Sequence, residues 1–211
     1  MTDLTQDMRD QLIRGYQGFR SSGYGEQADL YEDLGTNGQF PKVMMISCSD
    51  SRVEPSDIFK AYPGELFVVR NVANMVPRAD LDTPTPSAGA ALEFAVTVLG
   101  VKAIVVMGHA SCGGVKGCMD GITEGFVGTW VQHLAPARER VKARDLPEAE
   151  ALYELELEGV RHSLENLMTF DFIAERVNSG ELVLQGAHFS IKDATLRLMD
   201  KDGSFEVVAD A

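Results

Sequence analysis

Four short apolar runs constrain this chain more than any other feature: Val43 to Ser47, Leu66 to Val69, Ala103 to Met107 and Leu182 to Leu184. Runs that do not alternate with polar residues suit strands buried on both faces, the pattern of a parallel sheet. Between the second and third runs, Ser87 to Leu99 has helical period. Ala91, Phe94, Ala95 and Val98 fall on one side, and Gly100 supplies the stop. Strands alternating with helices predict an α/β fold, a mostly parallel central β-sheet flanked by helices.

The ends are organised differently. Leu4 to about Arg20 reads as an amphipathic helix, with Leu4, Met8, Leu12, Ile13 and Tyr16 spaced by three and four. A second short helix follows Ser22 and ends near Gly35. The pair is read as an outward-packing arm (1–36) on a single domain spanning 1–211, whose α/β core covers 37–211. From Gly125 to about Ser179 the chain is polar and helical. Leu152, Leu155, Val160, Leu164 and Leu167 form its apolar stripe, and Glu154, Glu156 and Glu158 read as a solvated flank. The tail, Leu196 to Val208 around Asp202-Gly203, predicts a small hairpin or strand pair.

Charge and cysteine content narrow the function classes. With 19 basic against 32 acidic residues the net charge is −13, which argues against nucleic acid, whose phosphates need a basic face. Three cysteines cannot all pair, so a disulfide scaffold is disfavoured and reduced thiols are expected. The N-terminus lacks the basic and apolar regions of a signal peptide. No window approaches the roughly 18–20 consecutive apolar residues that span a bilayer. A soluble, cytoplasmic protein without a membrane partner is the expectation.

Chemistry concentrates where two strands end. Cys48-Ser49-Asp50-Ser51-Arg52 follows the first run, and Gly108-His109-Ala110-Ser111-Cys112-Gly113-Gly114 follows the third. In open α/β sheets, sites form at the carboxyl ends of strands. Cys48 and His109, each expected just past a strand, can therefore share a crevice. One turn can bring His109 and Cys112 to one ion, while Gly113-Gly114 allows close backbone approach and opens the next helix. Three protein ligands leave a fourth position open, the mark of a catalytic rather than a structural zinc site. Taken singly these residues have plainer readings, Cys48 as a core thiol and Asp50-Arg52 as a loop-closing ion pair. Taken together at two strand ends, they point to a metal centre beside a carboxylate that Arg52 keeps ionised. Cys118, His133, His162, His188 and Trp130 have no ligand-spaced partner and are read as core, surface or packing residues.

Cys48-Ser49-Asp50-Ser51-Arg52-Val53-Glu54-Pro55 resembles the first signature of the β-class carbonic anhydrases. Glu93-Phe94-Ala95-Val96, continuing to the segment Ile104 to Gly113, resembles the second, and Arg70-Asn71-Val72-Ala73-Asn74 is similarly characteristic. The resemblance implies one Zn²⁺ per subunit on Cys48, His109 and Cys112, and an Asp50-Arg52 catalytic dyad. It implies reversible hydration of CO2 to bicarbonate and a proton, by attack of zinc-bound hydroxide. It further implies a homodimer or higher homo-oligomer, with the arm reaching over its partner and sites near the subunit interface.

The family has two arrangements. One carries a Trp three residues before the first Cys ligand, a Gly directly before it and a Tyr further on, which build a bicarbonate pocket favouring a closed site with the Asp on zinc. Met45, Ser47 and Phe94 stand in those places here. The other, similar to plant enzymes, has a Gln nine residues before the Cys, and Gln39 matches it. An open zinc site is therefore expected, without a bicarbonate switch. Gln39 and the Gly113 N–H would hold bicarbonate, and Phe67, Val72 and Phe94 would form an apolar CO2 pocket. Two other readings use the same residues: hydrolysis of carbon disulfide or carbonyl sulfide, and a non-catalytic zinc or redox protein with a closed fourth position.

Overall fold

A computed structural model describes residues 5–81 and 87–208. Leu4, placed in the first helix by its spacing, lies outside the described residues.

The chain divides into two compact units, Met1–Gln39 and Phe40–Ala211. In the first, α1 (Gln6–Gly18) is capped by Thr5, whose hydroxyl accepts from the Met8 N–H. Asp7 in its first turn suits the positive end of the helix dipole. A wider-wound turn (Phe19–Gly23) carries the chain on towards α2 (Ala28–Asn37), which stops at Gly38 with φ 85°. Neither helix has a buried residue, and Met8, Leu12, Ile13 and Tyr16 lie exposed as an apolar stripe.

The second unit holds a six-stranded sheet. Its strands are β1 (Val43–Cys48), β2 (Leu66–Asn71), β3 (Ala103–His109), β4 (Val183–Phe189), β5 (Leu196–Met199) and β6 (Phe205–Val207), in spatial order β2-β1-β3-β4-β5-β6. The first four run parallel, and β5 and β6 add on antiparallel as the hairpin expected of the tail. All four apolar runs are strands. Burial on both faces holds for β1, buried from Met44 to Cys48, whereas β2 is only half-buried because it is an edge strand. Cys48 and His109 are the last residues of β1 and β3, one position earlier than expected.

Helices close the sheet. Besides a single turn at Pro55–Ile58, they are in chain order α3 (Ser87–Glu93), α4 (Gly113–Met119), α5 (Gly125–Val131), α6 (Ala135–Lys142), α7 (Glu148–Leu167) and α8 (Asp171–Ser179). After α3, Phe94–Leu99 winds as a π-helix, and the added residue per turn rotates the faces. Leu92, Ala95 and Val96 are buried, while Phe94 and Val98, placed inward by a 3.6-residue period, are exposed. Gly100, at φ 69°, is the left-handed stop. The main core joins Met44, Ile46, Ile104 and Val106 of the sheet to Leu92 and Val96 and to Val160, Leu164 and Leu167 of α7. α7 is buried nearly all round through its middle, which overturns its reading as a one-faced helix: Glu156 and Glu158 are inside.

Candidate metal centre

The parallel register aligns the ends of β1, β2 and β3. Cys48 is level with Asn71, and Ser47 with Met107, so Cys48 and His109 finish at the same edge of the sheet. From His109 the chain makes a tight turn in which Ser111 takes φ 58°. This conformation costs a non-glycine residue about 1–3 kcal/mol, and it returns Cys112 towards His109. The ligand atoms of Cys48, His109 and Cys112 lie within 4.8 Å of one another, and all three residues are buried.

The donor set fits a zinc ion. His109 Nδ1 donates to the Ala110 carbonyl at 2.9 Å, which fixes the tautomer and leaves the Nε2 lone pair bare. Nε2 is buried and has no hydrogen-bond partner, a costly arrangement unless something takes the lone pair. Cys48 Sγ and Cys112 Sγ stand 3.9 Å apart, far beyond a disulfide and close to the edge, about 3.8 Å, of a tetrahedron with Zn–S bonds near 2.3 Å. The Cys112 thiol, hydrogen-bonded to Cys48, draws the Cys48 thiol well below its usual range, and the same contact with burial pushes Cys112 up. Burial pulls the His109 imidazole down, but Cys48 and the Ala110 carbonyl outweigh it and leave it raised.

Beside the cluster, Asp50 is gripped by Arg52. Arg52 Nε and its main-chain N–H donate to Oδ1 at 2.9 Å each, and Nη2 donates to Oδ2 at 2.7 Å. This grip holds the Asp50 carboxyl well below the usual carboxylate range. Asp50 Oδ2 is 3.9 Å from His109 Nε2, which puts the carboxylate at the rim of the cluster. Arg70 of β2 shapes the loop carrying this pair, donating to the carbonyls of Cys48, Asp50 and Val53 at 3.0, 2.7 and 2.7 Å.

On the other flank, Ala73 and Asn74 both have positive φ, 63° and 45°. The turn is held by a reciprocal pair in which Asn71 Nδ2 donates to the Met75 carbonyl and Met75 N–H to Asn71 Oδ1, both at 2.8 Å. Trp130 Nε1 adds a bond to the Val72 carbonyl at 2.8 Å. The turn aims the Ala73 N–H at Cys48 Sγ, 3.4 Å away. Gly114 makes room for it, since a Cβ there would lie 2.6 Å from Val72 Cγ1 and 3.0 Å from Ala73 Cβ.

The structure gathers some of the expected pocket residues and leaves others apart. Val72 packs against Gly114, next to the Ala73 N–H that faces Cys48, and Gly113 opens α4 directly after Cys112. Phe67 and Phe94 pack together with ring centroids 5.9 Å apart. Phe67, however, is level with Met44, four residues before the Cys48–Asn71 pair, or about 13 Å along the strand at roughly 3.3 Å per residue. Within one chain they therefore do not share a pocket with Val72. Gln39 is exposed and belongs to the N-terminal unit.

The residues set aside earlier divide as well. Cys118 is a buried thiol whose pKa is raised by burial. His162 is buried beneath the His133 carbonyl. Glu156, read as solvated, is buried and accepts from the Cys112 N–H at 3.3 Å, and His188 is buried against it. Glu158 is buried among Arg140, Arg144 and Arg161. Along a helix Glu154 and Glu158 share a face and Glu156 lies on the opposite one, and nothing in that spacing shows which face meets the sheet.

The carbonic anhydrase family model matches residues 43–196. The chain is 40% identical over 205 residues to beta carbonic anhydrase 3 of Arabidopsis thaliana, covering 93% of this chain and 78% of that protein. Its fold superposes on the β-carbonic anhydrase CcaA with a TM-score of 0.89 at 31% identity, over 97% of this chain and 93% of the other. The tetrameric β-carbonic anhydrases of Sordaria macrospora give a TM-score of 0.78 at 27% identity, over 97% and 98%. A buried Cys-His-Cys cluster at the ends of parallel strands, within a family match spanning most of the chain, makes this protein a member of the β-carbonic anhydrases, a family of zinc enzymes.

Proposed function

We propose that the chain catalyses reversible hydration of CO2 to bicarbonate and a proton, with zinc held by Cys48, His109 and Cys112. The observation that carries this is the bare, buried Nε2 of His109 facing two thiols, with a carboxylate 3.9 Å away. When bound, zinc supplies the acidification of water into a nucleophile near neutral pH. Asp50 is held ionised by Arg52, so it acts as a hydrogen-bond acceptor rather than a base. It receives the O–H of the attacking water and thereby turns a lone pair towards the carbon of CO2. Because Arg52 occupies both of its oxygens, Asp50 is restrained from the fourth ligand position, which favours an open site. The Gly113 N–H is the group of this unit proposed to hold bicarbonate.

The active unit in this reading is a homo-oligomer in the cytoplasm. The exposed Met8, Leu12 and Tyr16 of α1 offer a face for a second copy. The distance of Phe67 and Phe94 from the Val72 side of their own cluster is consistent with these rings serving a neighbouring copy. Among the described residues no helix is long and apolar enough to cross a membrane. Oxygen-isotope exchange between CO2 and water, followed on zinc-loaded and metal-stripped protein, tests the function. Exchange confined to the zinc-loaded form supports it, and none in either form overturns it.

A further inference from the structure

The middle of α7 carries a buried carboxylate that the hydration mechanism does not use. Glu156 and His188 are 4% and 0% exposed, and His188 Nε2 lies 3.1 Å from Glu156 Oε2. The other oxygen, Oε1, accepts the main-chain N–H of Cys112 at 3.3 Å. Tyr153 packs edge-on against the His188 ring, with centroids 5.5 Å apart and planes at 89°, and His188 Nδ1 is buried without a hydrogen-bond partner. Burying a carboxylate and an imidazole costs free energy that an apolar pair of the same volume would avoid.

The backbone is arranged for this contact. His188 of β4 is level with Gly108 of β3, the residue before His109. A Cβ on Gly108 would meet Val160 Cγ2 at 2.9 Å and the Glu156 carbonyl at 3.5 Å, so the glycine lets α7 lie close against the strand. Three residues beyond Gly108, Ser111 is left-handed at φ 58°. A strained turn of this kind keeps its shape only when its surroundings fix it, and Arg52 Nη2 on the Ser111 carbonyl at 3.3 Å supplies only one side.

We propose that Glu156, fixed by His188, is a positioning residue that anchors the Cys112 main chain and holds its sulfur towards His109 and Cys48 before metal arrives. The inference rests on Cys112 being a zinc ligand, as the proposed function has it. Partners that orient metal ligands are worth about 10–100-fold in metal affinity or activity when removed.

The test is zinc affinity of the metal-free protein, by competition with a chromophoric chelator, for the native chain, Glu156→Met and Glu156→Gln. Thermal unfolding of each metal-free form is measured in parallel. Glu156→Met is expected to lose about 10–100-fold in affinity and to alter the thiolate-to-metal absorption of the cobalt-loaded form. Glu156→Gln keeps an oxygen for the Cys112 N–H and should recover most of both. If Glu156→Met does not fold, Glu156→Asp decides, because its shorter side chain cannot bridge Cys112 and His188 together and should weaken zinc at unchanged metal-free stability. Native affinity and an unaltered cobalt spectrum in the Met variant, or in Asp where that decides, would overturn the proposal and leave the proposed function standing. Equal losses in Met and Gln would overturn it too, by showing that the negative charge, and not the bond to the Cys112 N–H, is what matters. A native chain that binds no zinc would overturn both.

Discussion

Arg52 holds both carboxylate oxygens of Asp50, through Nε to Oδ1 at 2.9 Å and Nη2 to Oδ2 at 2.7 Å, while Oδ2 stands 3.9 Å from the unpartnered Nε2 of His109. The carboxylate thus lies against the metal cluster without belonging to it. Asp50→Asn keeps the size and one acceptor oxygen but presents a donor to Arg52 and to the attacking water. Zinc content should stay at one per chain while turnover falls about 100-fold, the scale of losing one oriented polar group at a reacting centre. Metal analysis with CO2-hydration kinetics checks both halves, and retained activity would return Asp50 to a loop-closing role.

The same grip bears on regulation. With Asp50 satisfied by Arg52, and Met45 and Ser47 in place of the Trp and Gly of the bicarbonate-switched arrangement, added bicarbonate should leave the site open. A crystal structure of the zinc-loaded protein near neutral pH, soaked with bicarbonate, should show the Asp50–Arg52 bonds intact. Asp50 directly on the metal would contradict the open-site assignment.

Gly114 marks the tightest approach beside the cluster. In Gly114→Ala the new Cβ would fall 2.6 Å from Val72 Cγ1 and 3.0 Å from Ala73 Cβ, displacing the turn whose N–H faces Cys48 Sγ. Overpacking of this kind costs about 1–3 kcal/mol. A lower midpoint in chemical denaturation is expected, together with reduced kcat/KM, because Val72 moves with the turn.

Stability should depend on pH through Glu158. Burial raises its carboxyl, but Arg140 and Arg161 outweigh burial and leave it lowered in the folded chain. A lowered carboxyl stabilises the fold fully above its unfolded value, about 4.3, and that contribution is lost as pH falls through the folded value. Glu158→Gln should therefore lower Tm at neutral pH, by about 1–2 kcal/mol of stability. The gap between variant and native chain should close as pH falls below the unfolded value and on through the lowered folded one. A gap that persisted unchanged at low pH would show that packing, not charge, is lost. Melting curves across the range decide.

Legibility followed the periodicity of each segment. The four parallel strands and the convergence of Cys48, His109 and Cys112 could be read because unbroken apolar runs, strand-end placement and ligand chemistry all agree there. The faces of Phe94 and Val98 were misplaced because a π-wound stretch leaves no trace in a 3.6-residue period. Glu156 and His188 were missed for a different reason. They are separated by the second half of α7, α8 and most of β4, and the close packing at Gly108 helps bring them to Cys112. Phe67 and Phe94 could be matched to a pocket by motif, while their distance along the sheet from Cys48 could be read only from strand register.

The most direct test of the central claim is stopped-flow CO2 hydration with a pH indicator on zinc-loaded protein, across about pH 6.5–9, the range that brackets ionisation of zinc-bound water. Rapid hydration over the whole range, abolished by a chelator and restored by zinc, is the predicted result. Stoichiometric zinc on Cys48, His109 and Cys112 with no hydration at any pH would contradict it.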